Sequence, residues 1–375
     1  MHTYRLTKYD LWASAIIILG TLLRLVALAL GWPASYNEEG TLGLMALHIA
    51  YQCAHPLLYY GQDYLASTEA YLGAALFHLF GPSTFVLRLS LLGLFAGFLL
   101  FLYLLISLLY SKGLALFTLI LLVLGSPDVV YRQLMANGGA PDYFFFTTLL
   151  LLLTSWLALS SHRLQTTSHV PDDAARQPQK AERLPWSRIM AYAAWGAVAG
   201  IDIWSYPLCL PFVFCAALLL GIFCRKEMRW SVLALLLLCF LLGVSPFIYY
   251  KATVPVTPYA NSLFGGGYRE PSYPAINGLS SGVGTISPEP VSQRLGLQLI
   301  GTLAVAVPVA TSGTILCPLS PNDSWPLANH PPASVLACTG IRGIWGTGYV
   351  VLGCIAAFAA LRQLWFYWKR KRTVN

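Results

Sequence analysis

Apolar residues in this chain fall into long runs separated by short polar stretches. Segments 10–31, 84–110, 112–126, 142–160, 189–204, 206–224, 230–250 and 343–366 are almost unbroken apolar runs. A helix that crosses a bilayer needs about 20 such residues, so each run predicts a membrane helix. The third run is short. The fifth and sixth are predicted to form a tight pair around Trp204-Ser205-Tyr206-Pro207. No signal-cleavage pattern precedes the first run, which is expected to stay as an anchor. Segment 295–310 is apolar but holds Gln298, Thr302 and Pro308. It suits an interfacial helix or a ninth span equally by length.

Between the first two runs the pattern changes to helical periodicity without a spanning length. Within 32–83, stretches 39–52 and 68–80 predict short helices on the membrane surface, the first with a stripe of Leu42, Met45 and Ile49. The expected fold is an all-α polytopic membrane protein of eight transmembrane helices. Residues 1–160 form an N-terminal membrane module and 161–188 a cytoplasmic linker loop. Residues 189–250 return to membrane helices, 251–342 form an outer loop containing 295–310, and 343–375 hold the last span and a basic tail.

Composition supports the membrane reading. The 375 residues are 57% hydrophobic and 10% charged, with a mean hydropathy of +0.63. Soluble domains are roughly 25% charged, so soluble enzymes and nucleic-acid readers are excluded. The formal charge of +8 becomes informative once it is sorted by side. Positive charge favours the cytoplasm. Eight spans put Arg5, Lys8 and the run Lys369-Arg370-Lys371-Arg372 there together. On this topology the cytoplasmic pieces carry +11 and the remainder −3. The basic segments then report orientation in the plasma membrane and contact with anionic lipid.

The outer acids are the candidates for chemistry. Glu38 and Glu39 open the first surface helix, and Glu69 opens the second after Ser67-Thr68. Each reads either as a capping charge at a helix N-terminus or as a catalytic carboxylate. Tyr60, Gln62, Asp63 and Tyr64 precede the second helix. The tyrosines read either as an interfacial belt or as walls for a sugar ring. Asp142 follows the turn Asn137-Gly138-Gly139-Ala140-Pro141. Arg88, Lys251 and Arg269 fall on the same side, where they snorkel to headgroups or bind phosphate oxygens. Arg24 lies deeper, placed to snorkel or to pair with an acid. Cys317 and Cys338 lie in the outer loop and could form a disulfide; the other six cysteines read as small buried hydrophobes. Zinc spacings, a P-loop and GxSxG are all missing.

Taken in order, these residues resemble a known family. Glu38-Glu39-Gly-Thr-Leu-Gly-Leu-Met, Tyr60-Gly61-Gln62-Asp63-Tyr64-Leu-Ala-Ser67-Thr-Glu69-Ala-Tyr71, Phe80-Gly81-Pro82-Ser83 and Leu87-Arg88-Leu89 look like the C-class polytopic glycosyltransferases. Within that class they are similar to the bacterial branch of protein-mannosyltransferase-like and aminoarabinose-transferase-like enzymes. Asn137-Gly138-Gly139-Ala140-Pro141-Asp142 resembles the Gly-Gly-Tyr-Pro-Glu turn of that branch, and the likeness is best over 10–160. Glu38 stands where the family has Asp, and Gln62-Asp63-Tyr64 stands where the aminoarabinose branch has Lys-Pro-Pro.

The resemblance implies transfer of a sugar from a polyprenyl-phosphate donor to a glycan, lipid or protein acceptor on the outer face. Glu38 then acts as base, assisted by Glu39 and Asp142. Lys251 with Arg88 or Arg269 binds the donor phosphate. Tyr60, Gln62, Asp63, Tyr64 and Glu69 bind sugar or acceptor. No cofactor is required, although Glu38 and Asp142 could hold Mg²⁺ or Mn²⁺. Two other readings use the same face: a lipid-linked sugar transporter, and a catalytically silent partner protein.

Overall fold

The computed structural model describes residues 7–35, 37–62, 64–125, 127–167, 184–225, 227–253, 299, 302–311, 337–338, 340–355, 358 and 362. They are helical, with no strand among them and a single isolated bridge between Leu58 and Ala66. Two compact units emerge: 1–125 with 131–270, and 126–130 with 271–375.

The helices are α1 (Lys8–Ala29), α2 (Asn37–Gln52), α3 (Thr68–Phe80), α4 (Thr84–Leu109), α5 (Lys112–Leu124), α6 (Pro127–Leu134), α7 (Ala140–Thr167), α8 (Trp186–Ser205), α9 (Leu210–Phe223) and α10 (Trp230–Thr253). Local chemistry sets several boundaries. Ser83 and Ser111 cap α4 and α5 by accepting from the amides of Val86 (3.1 Å) and Leu114 (3.2 Å). At α1 the Asp10 carboxylate reaches back to the Thr7 amide at 2.8 Å.

Among the described residues, four helices are long and apolar enough to cross a membrane: α1, α4, α7 over Ala140–Ser161, and α10. The third and sixth expected spans are shorter. α5 has 13 residues, about 20 Å at 1.5 Å per residue, against roughly 30 Å of hydrocarbon. The sixth begins as a 3₁₀ turn, Pro207–Cys209, before the 14 residues of α9. α8 has length for a span but carries Arg188 and Asp202. Of the eighth run, residues 343–355, 358 and 362 are described and helical. Of 295–310, residues 302–306 form a π-helical turn and 307–310 an α-turn.

On α1, burial is inverted relative to a soluble protein. α1 turns Leu11, Trp12, Ile18, Leu19, Leu22 and Leu23 outward and buries Asp10, Ala13, Gly20, Arg24 and Leu28. Exposed large apolar side chains over buried ionisable ones suit lipid as the solvent. The described residues are all-helical with four candidate spans, which is compatible with a helical membrane protein.

Chain directions gather the site at one end of the first unit. α1 and α5 run parallel, since Lys112 binds Asp10 at one end and Arg24 donates to the Val123 carbonyl toward the other. α7 and α8 run antiparallel, pairing Thr147 with Asp202 and the Leu157 carbonyl with Arg188. α8 and α10 run parallel in close contact. A Cβ at Gly196 would sit 2.3 Å from the Leu236 carbonyl oxygen, and one at Gly200 2.3 Å from that of Phe240. Small residues four apart let helix backbones approach in this way. One end therefore holds the 37–83 segment, the 135–139 turn, Ser205 and Lys251.

The packing adds to two expectations. The fifth and sixth runs share one buried cluster, with Tyr192, Trp195 and Ala199 of α8 beside Cys209, Val213 and Leu220, but each has a larger partner: α9 packs on α7, and the chief partner of α8 is α10. The close glycine contacts give α8 a nearer neighbour than its chain-adjacent helix. The two short helices of the first loop, α2 and α3, also pack into the helical unit. They pack on each other and α3 packs on α4, with Leu42, Met45, Ala46, Phe77 and Leu87 in one buried cluster. Ile49, the third residue of the expected stripe, is partly buried against that cluster.

In the second unit, Trp345 donates its indole N–H to the Thr311 hydroxyl at 2.8 Å. Cys338 is disulfide-bonded. Cys317, expected as its partner, lies outside the described residues.

Candidate functional site

The first turn of α2 carries the two adjacent acids into different surroundings. Glu39 is 2% exposed and faces Arg88 of α4. Arg88 Nε and Nη2 donate to its two carboxylate oxygens at 2.5 and 2.6 Å, and Nη1 donates to the Pro33 carbonyl at 2.7 Å. This is the bidentate fork geometry that favours Arg over Lys. Glu38 is half-buried, and its carboxylate makes no hydrogen bond or ion pair with any described residue. Its main-chain carbonyl accepts from the Tyr59 hydroxyl at 2.7 Å.

Arg88 was expected on a donor phosphate, but Glu39 and Pro33 already occupy its guanidinium. An exposed cation would cost nothing to hold free; a buried one needs its acid.

Glu69, in the first turn of α3, is fully buried. Its carboxylate accepts from the amides of Gly138 (3.1 Å) and Gly139 (3.0 Å). The site therefore joins the first loop to the turn before α7. Gly138 has φ +79°, and a Cβ there would lie 3.2 Å from the Tyr59 ring. Conformation and space both call for glycine. The placement also removes Glu69 from the expected sugar contacts, because both its oxygens are used inside the protein.

Asp142 is 1% exposed and has Glu69, Asp202 and the Thr68 hydroxyl as neighbours. Its Oδ1 has no hydrogen-bond partner. Asp202 of α8 accepts from Thr147 at 2.9 Å, and its Oδ1 is likewise without a partner. Thr68 also faces the Ser205 hydroxyl at 3.5 Å, and the Ser205 carbonyl accepts from the Ala66 amide at 3.2 Å.

Burial pushes the Glu69 carboxyl up to about 7, with the Glu39 charge adding to it and the two amide bonds opposing it. Tyr59 is pushed up too, by burial and by the charges of Glu38 and Glu69. The sign for stability follows. Folded Glu69 keeps its proton at pH values where the unfolded chain, near 4.5, has lost it. Its contribution is complete below about pH 4.5 and is lost as pH rises through about 7, a change of about 3 kcal/mol. Thermal unfolding in detergent should therefore show a midpoint that falls from pH 5 to pH 8. That fall should vanish in Glu69→Gln. The same slope in both proteins contradicts this.

The remaining expected residues are dispersed. Tyr60 is exposed, with its hydroxyl 3.2 Å from His48 Nδ1. Gln62 donates its amide to the Tyr59 carbonyl at 3.1 Å, while its side-chain oxygen is buried without a partner. Tyr64, like Tyr206, packs against the first-loop cluster. Lys251 is exposed near the C-terminus of α10, 5.6 Å from the Phe247 ring. Asp63 and Arg269 lie outside the described residues. Among the described residues no three His, Cys, Asp or Glu groups are arranged to hold a metal ion, so a divalent ion at Glu38 and Asp142 gains no third such ligand from them.

Arg24 takes neither role expected of it. It is 3% exposed and donates to the Val123 and Leu122 carbonyls at 2.7 and 3.2 Å, and to Gln133 at 3.2 Å. Those carbonyls end α5, where unpaired oxygens carry the negative end of the helix dipole. Thr68, Asp202 and Ser205 were not among the expected site residues. The signal for Asp202 was an acid inside an apolar run. No family model matches the sequence, and no curated protein or solved structure matches it either.

Proposed function

We propose that this protein is a membrane glycosyltransferase that moves a sugar from a polyprenyl-phosphate donor to an acceptor hydroxyl at the membrane surface. On this reading the chain has eight spans, with both termini cytoplasmic and the 37–83 segment outside. One observation carries the proposal. The two stretches on which the family resemblance rests, the first loop and the Asn137–Asp142 turn, meet directly through Glu69 and the amides of Gly138 and Gly139. Residues far apart in sequence thus build one acidic end, and parallel packing of α8 and α10 brings Lys251 to that same end.

The chemistry needs a base and a cation. Glu38 takes the acceptor's proton as its oxygen forms the new glycosidic bond. The bond from sugar to phosphate breaks, and polyprenyl phosphate leaves with the electron pair. Because the leaving group is already anionic, it needs no full protonation. Lys251, with Arg269, holds the phosphate; Arg88 instead fixes Glu39 and with it the first turn of α2. Tyr60, Gln62, Asp63 and Tyr64 bind sugar or acceptor.

The test is transfer by the purified protein in vesicles, using a labelled polyprenyl-phosphate sugar and candidate acceptors. Equal amounts of glycosylated acceptor and free polyprenyl phosphate are expected. Passage of intact donor across the bilayer without transfer would instead identify a lipid-linked sugar transporter. Donor binding without either event would identify a silent partner.

A further inference from the structure

We propose that Glu69 is a positioning residue: by gripping the paired amides of Gly138 and Gly139 it sets Asp142 against the first loop, and it touches neither sugar nor acceptor. This rests on the glycosyltransferase reading. Glu69 is fully buried, and both carboxylate oxygens are committed to the turn. No face of it is left for a ligand.

The grip is transmitted over a short, stiff path. Asp142 stands three residues after Gly139 in the first turn of α7, where the Gly139 carbonyl accepts from the Tyr143 amide at 2.9 Å. A shift of the turn therefore moves Asp142 with it. Thr68, next to Glu69 on α3, faces Asp142 directly. On the opposite side Tyr59 closes the bracket. Its ring lies against Gly138, and its hydroxyl holds the Glu38 carbonyl at 2.7 Å. Glu69 and Tyr59 together fix the relative placement of Glu38 and Asp142. Misplacement of a reacting group by about 1 Å can cost about 100-fold in rate.

Three variants separate this from a general role in folding. Glu69→Gln keeps the size but sets a carboxamide N–H₂ against a backbone N–H. Glu69→Asp keeps both acceptors and withdraws them by one methylene. Tyr59→Phe removes only the hydroxyl. In vesicles, Glu69→Gln should lower kcat at least about tenfold and leave the donor KM within about twofold. Glu69→Asp should recover part of kcat, and Tyr59→Phe should lower kcat with KM unchanged. The ionisable groups around Glu69 are Glu39 on α2, Tyr59, and Asp142 on α7. A wild-type inflection in the pH–rate profile near 7 should move or vanish in Glu69→Gln.

Hydrogen exchange gives a readout independent of activity. Amides 138 and 139 should exchange at least about tenfold faster in Glu69→Gln, with α4 and α10 unchanged. Unchanged kcat, a raised KM with unchanged kcat, or unchanged exchange at the turn would each overturn the proposal. If Glu69→Gln does not fold, Glu69→Asp and Tyr59→Phe decide it by the same criteria. If the wild type transfers no sugar, the glycosyltransferase reading falls, and exchange alone decides whether Glu69 holds the turn.

Discussion

Replacing Arg88 with Ala is expected to destabilise the folded protein by about 3–5 kcal/mol. The variant leaves Glu39, 2% exposed, as a buried charge with no cation, and it frees the Pro33 carbonyl as well. Arg88→Lys should recover little, because an ammonium cannot span both carboxylate oxygens and the carbonyl at once. The double variant Arg88→Met/Glu39→Gln should be more stable than Arg88→Ala, since it removes the charge together with its partner. Thermal unfolding in detergent checks the order. An Arg88→Ala protein that unfolds at the wild-type temperature would show that the pair contributes nothing and that Arg88 is free for other work.

A second large effect is expected at the α8–α10 contact. Gly200→Val should cost more than about 3 kcal/mol. The new Cβ would lie 2.3 Å from the Phe240 carbonyl oxygen, 2.8 Å from the Val244 amide nitrogen and 2.9 Å from the Gly243 Cα. These are backbone atoms, so no rotamer relieves the contact and the helices must separate. Gly93→Ala is the control: nothing lies within 4 Å of a Cβ there, and the change should stabilise α4 by up to about 1 kcal/mol. Equal unfolding temperatures for Gly200→Val and wild type would contradict the close approach.

Much of the helical layout was legible because lipid imposes it. Runs 84–110 and 230–250 became α4 and α10 with ends within a few residues, and 39–52 and 68–80 became α2 and α3. A bilayer demands length and apolarity, and both are visible residue by residue. α6 lies between the third and fourth runs, where no helix was expected. α7 extends past its apolar run to Thr167 because Ser161-His162-Arg163-Leu164-Gln165 can remain helical outside hydrocarbon. The site was legible in its residue types but not in its pairings. Glu39 with Arg88, Glu69 with Gly138 and Gly139, and Arg24 with the end of α5 join separate elements, and no periodicity encodes such partners. The Gly196-to-Gly200 spacing was available in the sequence. The identity of its closest partner helix was not.

The central claim is that Glu38 removes the acceptor's proton during sugar transfer. The most direct measurement compares turnover of wild type, Glu38→Gln and Glu38→Asp in vesicles with one polyprenyl-phosphate sugar donor. Glu38→Gln should lower kcat by about 100-fold or more, and its unfolding temperature should not change, because the Glu38 carboxylate bonds to no described residue. Glu38→Asp, which keeps a carboxylate at that position, should retain activity. Wild-type turnover in Glu38→Gln would contradict the account and remove Glu38 from the chemistry.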